Sequence, residues 1–310
     1  MNASGNTADP KADPLADSGL VVVDKPAGMT SHDVVGKLRR VFGSRRVGHS
    51  GTLDPMATGV LVLGVNRGTR FLPHVHADAK SYDATIRLGA STLTDDAEGE
   101  VLAAAAPEQI AAITDEAIMA GVAKLTGDIM QRPASVSAVK IDGVRAHERM
   151  RRGEDVVLPE RPVTVSLFDV HAIRREAEWV DVDVSVDCSA GTFIRSLARD
   201  LGADLGVGGH VTALRRTAAG PFRIEGAKTL EQLEADPTPT MSLDEACLAC
   251  FPARDVTDDE GVALSQGKWL EPIGMDGVQA ARTPDGRVVA LITESGKRAK
   301  TVFVARPSTM

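Results

Sequence analysis

Two stretches of period-two alternation, VTVSLFDVHAI (163–173) and WVDVDVSVDC (179–188), constrain this chain more than anything else in it. Successive side chains of a strand point to opposite faces, so a period of two writes one apolar and one polar face. The two runs are expected to pair as strands of a sheet. GLVVVDKPAG, from Gly19, reads as a buried strand ending in a Pro/Gly turn, and GVLVLGV (59–65) as a second buried strand. SYDATIRLG (81–89) alternates like a third, and HVTALRR and FRIEG read as further short strands. Helical spacing appears in HDVVGKLRRVFG, where Thr30 and Asp33 fit a capping arrangement, and in the Pro-started run 107–127. It appears again over 192–206, where Thr192 is read as the N-cap.

Composition sets the bounds. The 310 residues predict roughly two domains at about 150 residues each. No run reaches the ~18 apolar residues of a membrane span. The first residues, rich in polar side chains with Asp9, Asp13 and Asp17, lack the apolar core of a secretory signal and read as a disordered tail. Three cysteines argue against a disulfide scaffold. Cys247 and Cys250 form one CxxC, but no further ligands complete a zinc site, so a buried helix face is the better reading. The expected location is cytoplasmic. Composition shifts near residue 231, where nine acids face one base up to residue 260. The expected organisation is a tail over 1–18, a catalytic region over 19–250 and a small β-rich domain over 251–310.

The net charge of -8 argues against a general nucleic-acid binder, but the charge is unevenly spread. Residues 34–72 hold seven bases and one acid, and residues 140–152 five bases and two acids. Basic segments that converge in space bind phosphates; otherwise they are solvated helix faces. The single acid of the first segment is Asp54, in the Gly-rich string RVGHSGTLDPMATG (46–59) between a helix and a strand. Such loops hold backbone in set shapes near a ligand, and Pro55 biases Asp54 toward extended geometry. Asp in a Gly-rich loop is also a common turn-maker.

The string RVGHSGTLDPMATGVL resembles the motif around the catalytic Asp of the TruB family of tRNA pseudouridine synthases. GLVVVDKPAGMTSHDVV is similar to that family's opening strand, Lys-Pro turn and helix, and KSYDATIRLGASTLTDDAEG to its second motif. CSAGTFIRSLARDLG and HVTALRR resemble the later motifs, and all occur in order over roughly residues 19–225. The resemblance implies an α+β fold, a mixed and mainly antiparallel sheet flanked by helices, with a PUA-like C-terminal domain. It implies isomerisation of uridine 55 in the T-arm of tRNA. The C1′–N1 bond breaks, the uracil rotates and a C1′–C5 bond forms, with no metal and no cofactor. The implied partner is tRNA and the implied state a monomer.

Carried over position by position, Asp54 matches the catalytic Asp. Attack on C1′, attack on C6 and proton removal from C2′ all stay open for it. Arg195 matches the Arg that pairs with this Asp, and a cation in the first turn of a helix needs such a partner to offset the helix dipole. Tyr82, the only Tyr of the chain, matches the Tyr that stacks on the flipped uracil, with a catalytic role as a base also open. His49 matches the His that fills the place of the extracted nucleotide. Leu214 matches an apolar wall of the base pocket, and Lys25 the Lys-Pro turn, where loop-building and substrate contact are both open. Asp96 matches the Asp of the second motif. Phe193 is a departure, since the family usually has Tyr there; the ring is kept and the hydroxyl lost. Residues 131–154 fall where the family has a basic insertion that grips RNA, so Arg145, Arg149, Arg151 and Arg152 are expected on phosphates. Rival readings are an RNA-folding helper that needs the bases but not Asp54, an RNA-guided relative working in a particle, and an aspartate-nucleophile hydrolase.

Overall fold

The first 54 residues open with an apolar strand, β1 (Gly19–Lys25), and a helix, α1 (Ser31–Val41). Thr30 caps the helix as the spacing predicts: its hydroxyl accepts from the Asp33 amide while the Asp33 carboxylate accepts from the Thr30 amide. Val34, Val35 and Leu38 face one core with Val21, Val23, Leu61 and Leu63. Strands β2 (Val47–Ser50) and β3 (Thr58–Val65) follow, then a short helix α2 (Gly68–Phe71). This computed structural model describes residues 13, 15–75, 78–134, 140–141, 144–145 and 158–309. Two compact units divide the chain: Met1–Asp54, Val60–His76 and Pro221–Met310 form one, Pro55–Gly59 and Ala77–Gly220 the other.

The second unit contains the alternating strands. Its elements are β4 (Ala79–Leu88), β5 (Ala90–Thr92), β6 (Val101–Ala104), α3 (Pro107–Ala111), α4 (Asp115–Lys124), β7 (Gly127–Gln131), β8 (Lys140–Ile141) and β9 (Val144–Arg145). Then come β10 (Arg161–Arg175), β11 (Val180–Ser189), α5 (Ile194–Asp204) and β12 (Gly209–Ala219). Five strands run in the order β12-β4-β11-β10-β7, each antiparallel to its neighbour. Thr58 and Gly59 at the start of β3 pair in parallel with Arg215 and Arg216 of β12, which makes the sheet mixed. The run 107–127 is two helices rather than one, because Thr114 leaves helical geometry and caps α4 with its hydroxyl.

Strand β12 carries two irregularities against β4, between Val211 and Ala213 and between Arg216 and Ala218. Each inserts one extra residue and bends the strand. Helix α5 lies on β12 at a backbone-to-backbone distance that only glycine permits. A Cβ on Gly202 would stand 2.2 Å from the backbone of Gly208 and Gly209, and one on Gly209 2.4 Å from the Ala198 carbonyl oxygen. Helix α4 packs on α5 in turn, with Leu201 against Gly121 and Lys124 paired to Asp204 at 2.9 Å.

After residue 220 the chain completes the first unit with β13 (Phe222–Arg223), α6 (Leu230–Ala235), β14 (Met241–Ser242), α7 (Leu243–Cys250), β15 (Ala253–Asp255) and α8 (Asp258–Ser265). Strands β16 (Val278–Arg282), β17 (Val288–Ser295) and β18 (Arg298–Val304) finish it. β15 to β18 make a four-stranded sheet in sequence order, with its own core of Leu264, Ala281, Ala290 and Ile292. The anticipated PDG turn joins β16 to β17. Cys247 is buried on α7 beside the core, and burial pushes the partly buried Cys250 thiol up to about 11. Among the described residues no helix is long and apolar enough to cross a membrane, and no cluster of three metal-ligating groups forms. Gly202→Ala is expected to destabilise the chain by at least about 1–3 kcal/mol, because backbone cannot give way as a side-chain tip can; urea denaturation measures it.

Candidate active site

In the first unit, the loop around Asp54 is shorter than its composition implies. Val47–Ser50 pair with Val62–Val65 as an antiparallel strand, and buried Val47 anchors that pairing in the core. His49 sits on this strand opposite Leu63. What remains of the loop is fixed by Ser31. Its buried hydroxyl donates to the Leu53 carbonyl at 3.0 Å and accepts from the Leu53 amide at 2.9 Å. The residue before Asp54 is thereby held through both of its peptide groups. Lys25 is fully buried, and its ammonium donates to the carbonyls of Pro26 (2.9 Å) and Met29 (2.7 Å). Those bonds close the Lys-Pro turn around the side chain.

In the second unit, Tyr82 lies on β4 between Val186 of β11 and Arg216 of β12. Leu214 pairs with Ala84 one step along, so the period of two puts Tyr82, Ala84, Leu214 and Arg216 on one face. All four are buried. Lys80 shares that face; burial and the nearby Arg216 guanidinium push its ammonium below the usual lysine range. Gly59, in the strand that follows Asp54, has φ +98°, and a Cβ there would stand 2.2 Å from the Arg216 carbonyl oxygen. Backbone thus meets backbone where the loop enters the sheet. A cavity of about 540 Å³ is lined by Asp83, Thr85, His171, Asp183 and Arg215, with Leu214 also at its wall. Its carboxylates are already engaged, Asp83 by Ser185 and Asp183 by Thr85, and no anticipated catalytic side chain points there.

Arg195 is the second residue of α5, in a first turn with no acid of its own. Its side chain is 6% exposed. Nη1 donates to the Thr94 carbonyl at 2.7 Å and stands 3.4 Å from Oδ2 of Asp96, equally buried. A buried guanidinium without a carboxylate is costly, and the helix dipole adds to the cost; Asp96 answers both. Asp96 is itself oriented by the Thr94 hydroxyl and the Glu98 amide. Its loop is stitched to β12 by the Val211 amide on the Asp95 carbonyl and the Ala97 amide on the Val211 carbonyl. One turn along α5, Arg199 meets Asp95 (3.3 Å) and Asp200 (2.9 Å) and donates to the Arg132 carbonyl. Burial pushes the Asp95 and Asp200 carboxyls above the usual range, against the pull of Arg199.

Phe193, not Thr192, is the N-cap of α5, and no side chain caps from that position. The Arg161 guanidinium lies over the Phe193 ring at 4.9 Å and donates to the Gly191 carbonyl. Gln131 bonds both peptide groups of Phe193. Of the expected phosphate-binding residues, Arg145 ends β9, paired with Lys140, while Arg149, Arg151 and Arg152 lie outside the described residues. Ser31, Thr94, Gln131 and Arg161 carry no chemistry of their own that the sequence marks. Ser31 alone left a trace, a second hydroxyl directly behind a helix cap.

The family model described as TruB family pseudouridylate synthase (N terminal domain) matches residues 39–194. Those for tRNA pseudouridylate synthase B C-terminal domain and tRNA Pseudouridine synthase II, C terminal, match 195–248 and 251–306. The chain is 65% identical over 298 residues to the tRNA pseudouridine synthase B of Corynebacterium aurimucosum, covering 96% of this chain and 99% of that one. It is 54% identical over 292 residues to the protein of that name from Mycobacterium ulcerans, covering 94% and 96%. Among solved structures, a Cbf5-Nop10-Gar1 complex holds a chain with TM-score 0.69 and 25% identity, covering 95% of this chain and 87% of that one. An H/ACA RNP bound to a substrate RNA containing 2′-deoxyuridine gives 0.70 at 24%, covering 94% and 86%, a likeness of fold. The fold is thus that of the pseudouridine synthases. Within that class, the chain belongs to the TruB family.

Ser31→Ala would leave the buried amide and carbonyl of Leu53 without their partner. The expected loss of stability is about 1–3 kcal/mol, measured by urea denaturation.

Proposed function

We propose that this chain isomerises uridine 55 in the T-arm of tRNA to pseudouridine, with Asp54 as the catalytic carboxylate. Membership of the TruB family carries the activity. The observation that carries the residue assignment is the immobilised Arg195, a buried cation that the fold invests in orienting through Asp96 and Thr94. A cation so fixed serves to aim a carboxylate. Tyr82 stacks on the uracil taken out of the arm, and Leu214, on the same sheet face, walls the base pocket. His49 replaces contacts the nucleotide leaves behind. The reaction balances without a co-reactant: C1′–N1 breaks, C1′–C5 forms, the proton at C5 is lost and N1 gains one.

Phe193 supplies ring surface beneath the base, backed by Arg161. Arg145, Arg149, Arg151 and Arg152 bind the phosphates of the arm.

The test is tritium release from uridine labelled at C5 in an unmodified T-arm stem-loop. Asp54→Asn is expected to cut release by more than about 10³-fold while RNA affinity stays within about threefold. Release equal to that of the unaltered chain overturns the assignment of Asp54, and persistence of binding with no release from either chain favours the RNA-folding helper. Phe193→Tyr is expected to raise the rate less than about tenfold, since packing rather than a hydroxyl is the role assigned to the ring.

A further inference from the structure

The helix that carries Arg195 is started differently from its neighbours. In α1, α6, α7 and α8 the amide of the N-cap residue is bonded by the side chain three residues later: Asp33, Gln232, Glu245 and Glu260. These are capping boxes closed within the helix. In α5 the corresponding residue is Ser196, fully buried, whose hydroxyl oxygen has no hydrogen-bond partner. The acceptor comes instead from the last residue of β7. The Phe193 amide donates to Gln131 Oε1 at 2.8 Å, and Gln131 Nε2 donates to the Phe193 carbonyl at 3.1 Å. That carbonyl also accepts the first bond of the helix, from the Leu197 amide. Gln131 is 1% exposed, so both of its bonds are shielded from bulk solvent. The next residue, Arg132, is tied to the same helix through its carbonyl by Arg199.

We propose that Gln131 is a positioning residue for the isomerisation, fixing the start of α5, and with it Arg195 two residues on, from strand β7. The argument rests on the role given to Arg195 above. A primary amide stays neutral at every working pH while it donates and accepts through two atoms of one group, as the amide and carbonyl of a single residue demand. Displacement of about 1 Å at a remote support costs on the order of 10²-fold in rate when a charged group must be aimed.

Gln131→Glu gives a readout that a merely structural role would not move. A protonated carboxyl matches the amide, its C=O accepting from the Phe193 amide and its O–H donating to the Phe193 carbonyl. The ionised form turns a second acceptor on that carbonyl. Burial and the facing carbonyl raise the pKa of such a Glu above the usual ~4.3. The fitting form is therefore present at low pH and lost as pH rises. Single-turnover tritium release from a T-arm stem-loop is measured from pH 5.5 to 8.5 for the unaltered chain, Gln131→Glu and Gln131→Met, together with RNA affinity. The expected result is a rate at least about tenfold lower for Gln131→Met with affinity held within about threefold. For Gln131→Glu the same deficit is expected at pH 8.5, and its rate relative to the unaltered chain climbs as pH falls. A ratio that is flat across pH, an unchanged Gln131→Met rate, or rate and affinity lost together overturns the proposal. If Gln131→Met fails to fold, the Gln131→Glu ratio decides alone. An unaltered chain that releases no tritium overturns the function proposed above, and is distinct from a working chain with a flat ratio.

Discussion

A guanidinium kept out of water at the positive end of a helix dictates much of the second unit. Arg195 has to find a carboxylate within reach, and Asp96 provides it at 3.4 Å. For Asp96 to be there, the loop after β5 must be held against β12, which the backbone bonds at Val211 accomplish. For Arg195 to be there, α5 must press on β12 closely enough that Gly202 and Gly209 are the only residue type tolerated. Ion pair, loop and glycine contact thus describe one constraint from three sides. Removing a member of such a pair strands the other charge out of water.

The first unit solves a related problem with a neutral group. Asp54 stands within the short loop between β2 and β3, rich in residues with little preference for any one shape. Ser31 ends that freedom next door, at Leu53, through two bonds to the peptide groups. Gln131 treats Phe193 in the same fashion in the second unit. In both places a buried polar side chain substitutes for the backbone partner that a regular element would have supplied, and buried peptide groups need one or the other.

Periodicity made the architecture legible. The alternation over 163–173 and 179–188 became β10 and β11, paired as neighbours, and GLVVVDK and GVLVLGV became β1 and β3. Thr30 and Asp33 announced a capping box that exists. Other features were hidden for physical reasons. Thr192 has the chemistry of a cap, yet the helix begins one residue later because Gln131 takes up the amide of Phe193. That partner lies far away in sequence, and no local rule reaches it. The strand Val47–Ser50 is too short to alternate visibly, and the break at Thr114 interrupts an apolar rhythm that continues on both sides. Residue motifs marked Asp54, Tyr82, Arg195 and Leu214, whereas Gln131 and Arg161 act through backbone atoms and rings of other segments, which leave no pattern along the chain, and Ser31 left only a second hydroxyl behind a cap.

The irregularity in β12 beside Thr212 decides which side chains the sheet offers to a nucleotide. Upstream of it Val211 is paired with Ile86, and downstream Leu214 is paired with Ala84, so the two buried residues are three apart in one strand and two apart in the other. The extra residue shifts the phase of the strand by half a period. In a regular strand that kept Thr212 in the ladder, Leu214 and Arg216 would pass to the outer face and Arg215 to the side of Tyr82, exchanging an apolar wall for a charge; losing Thr212 together with the irregularity leaves the pairing, and so the facing, as it is. The face that β12 turns toward Tyr82 is therefore set by one extra residue of backbone as much as by the identity of its side chains.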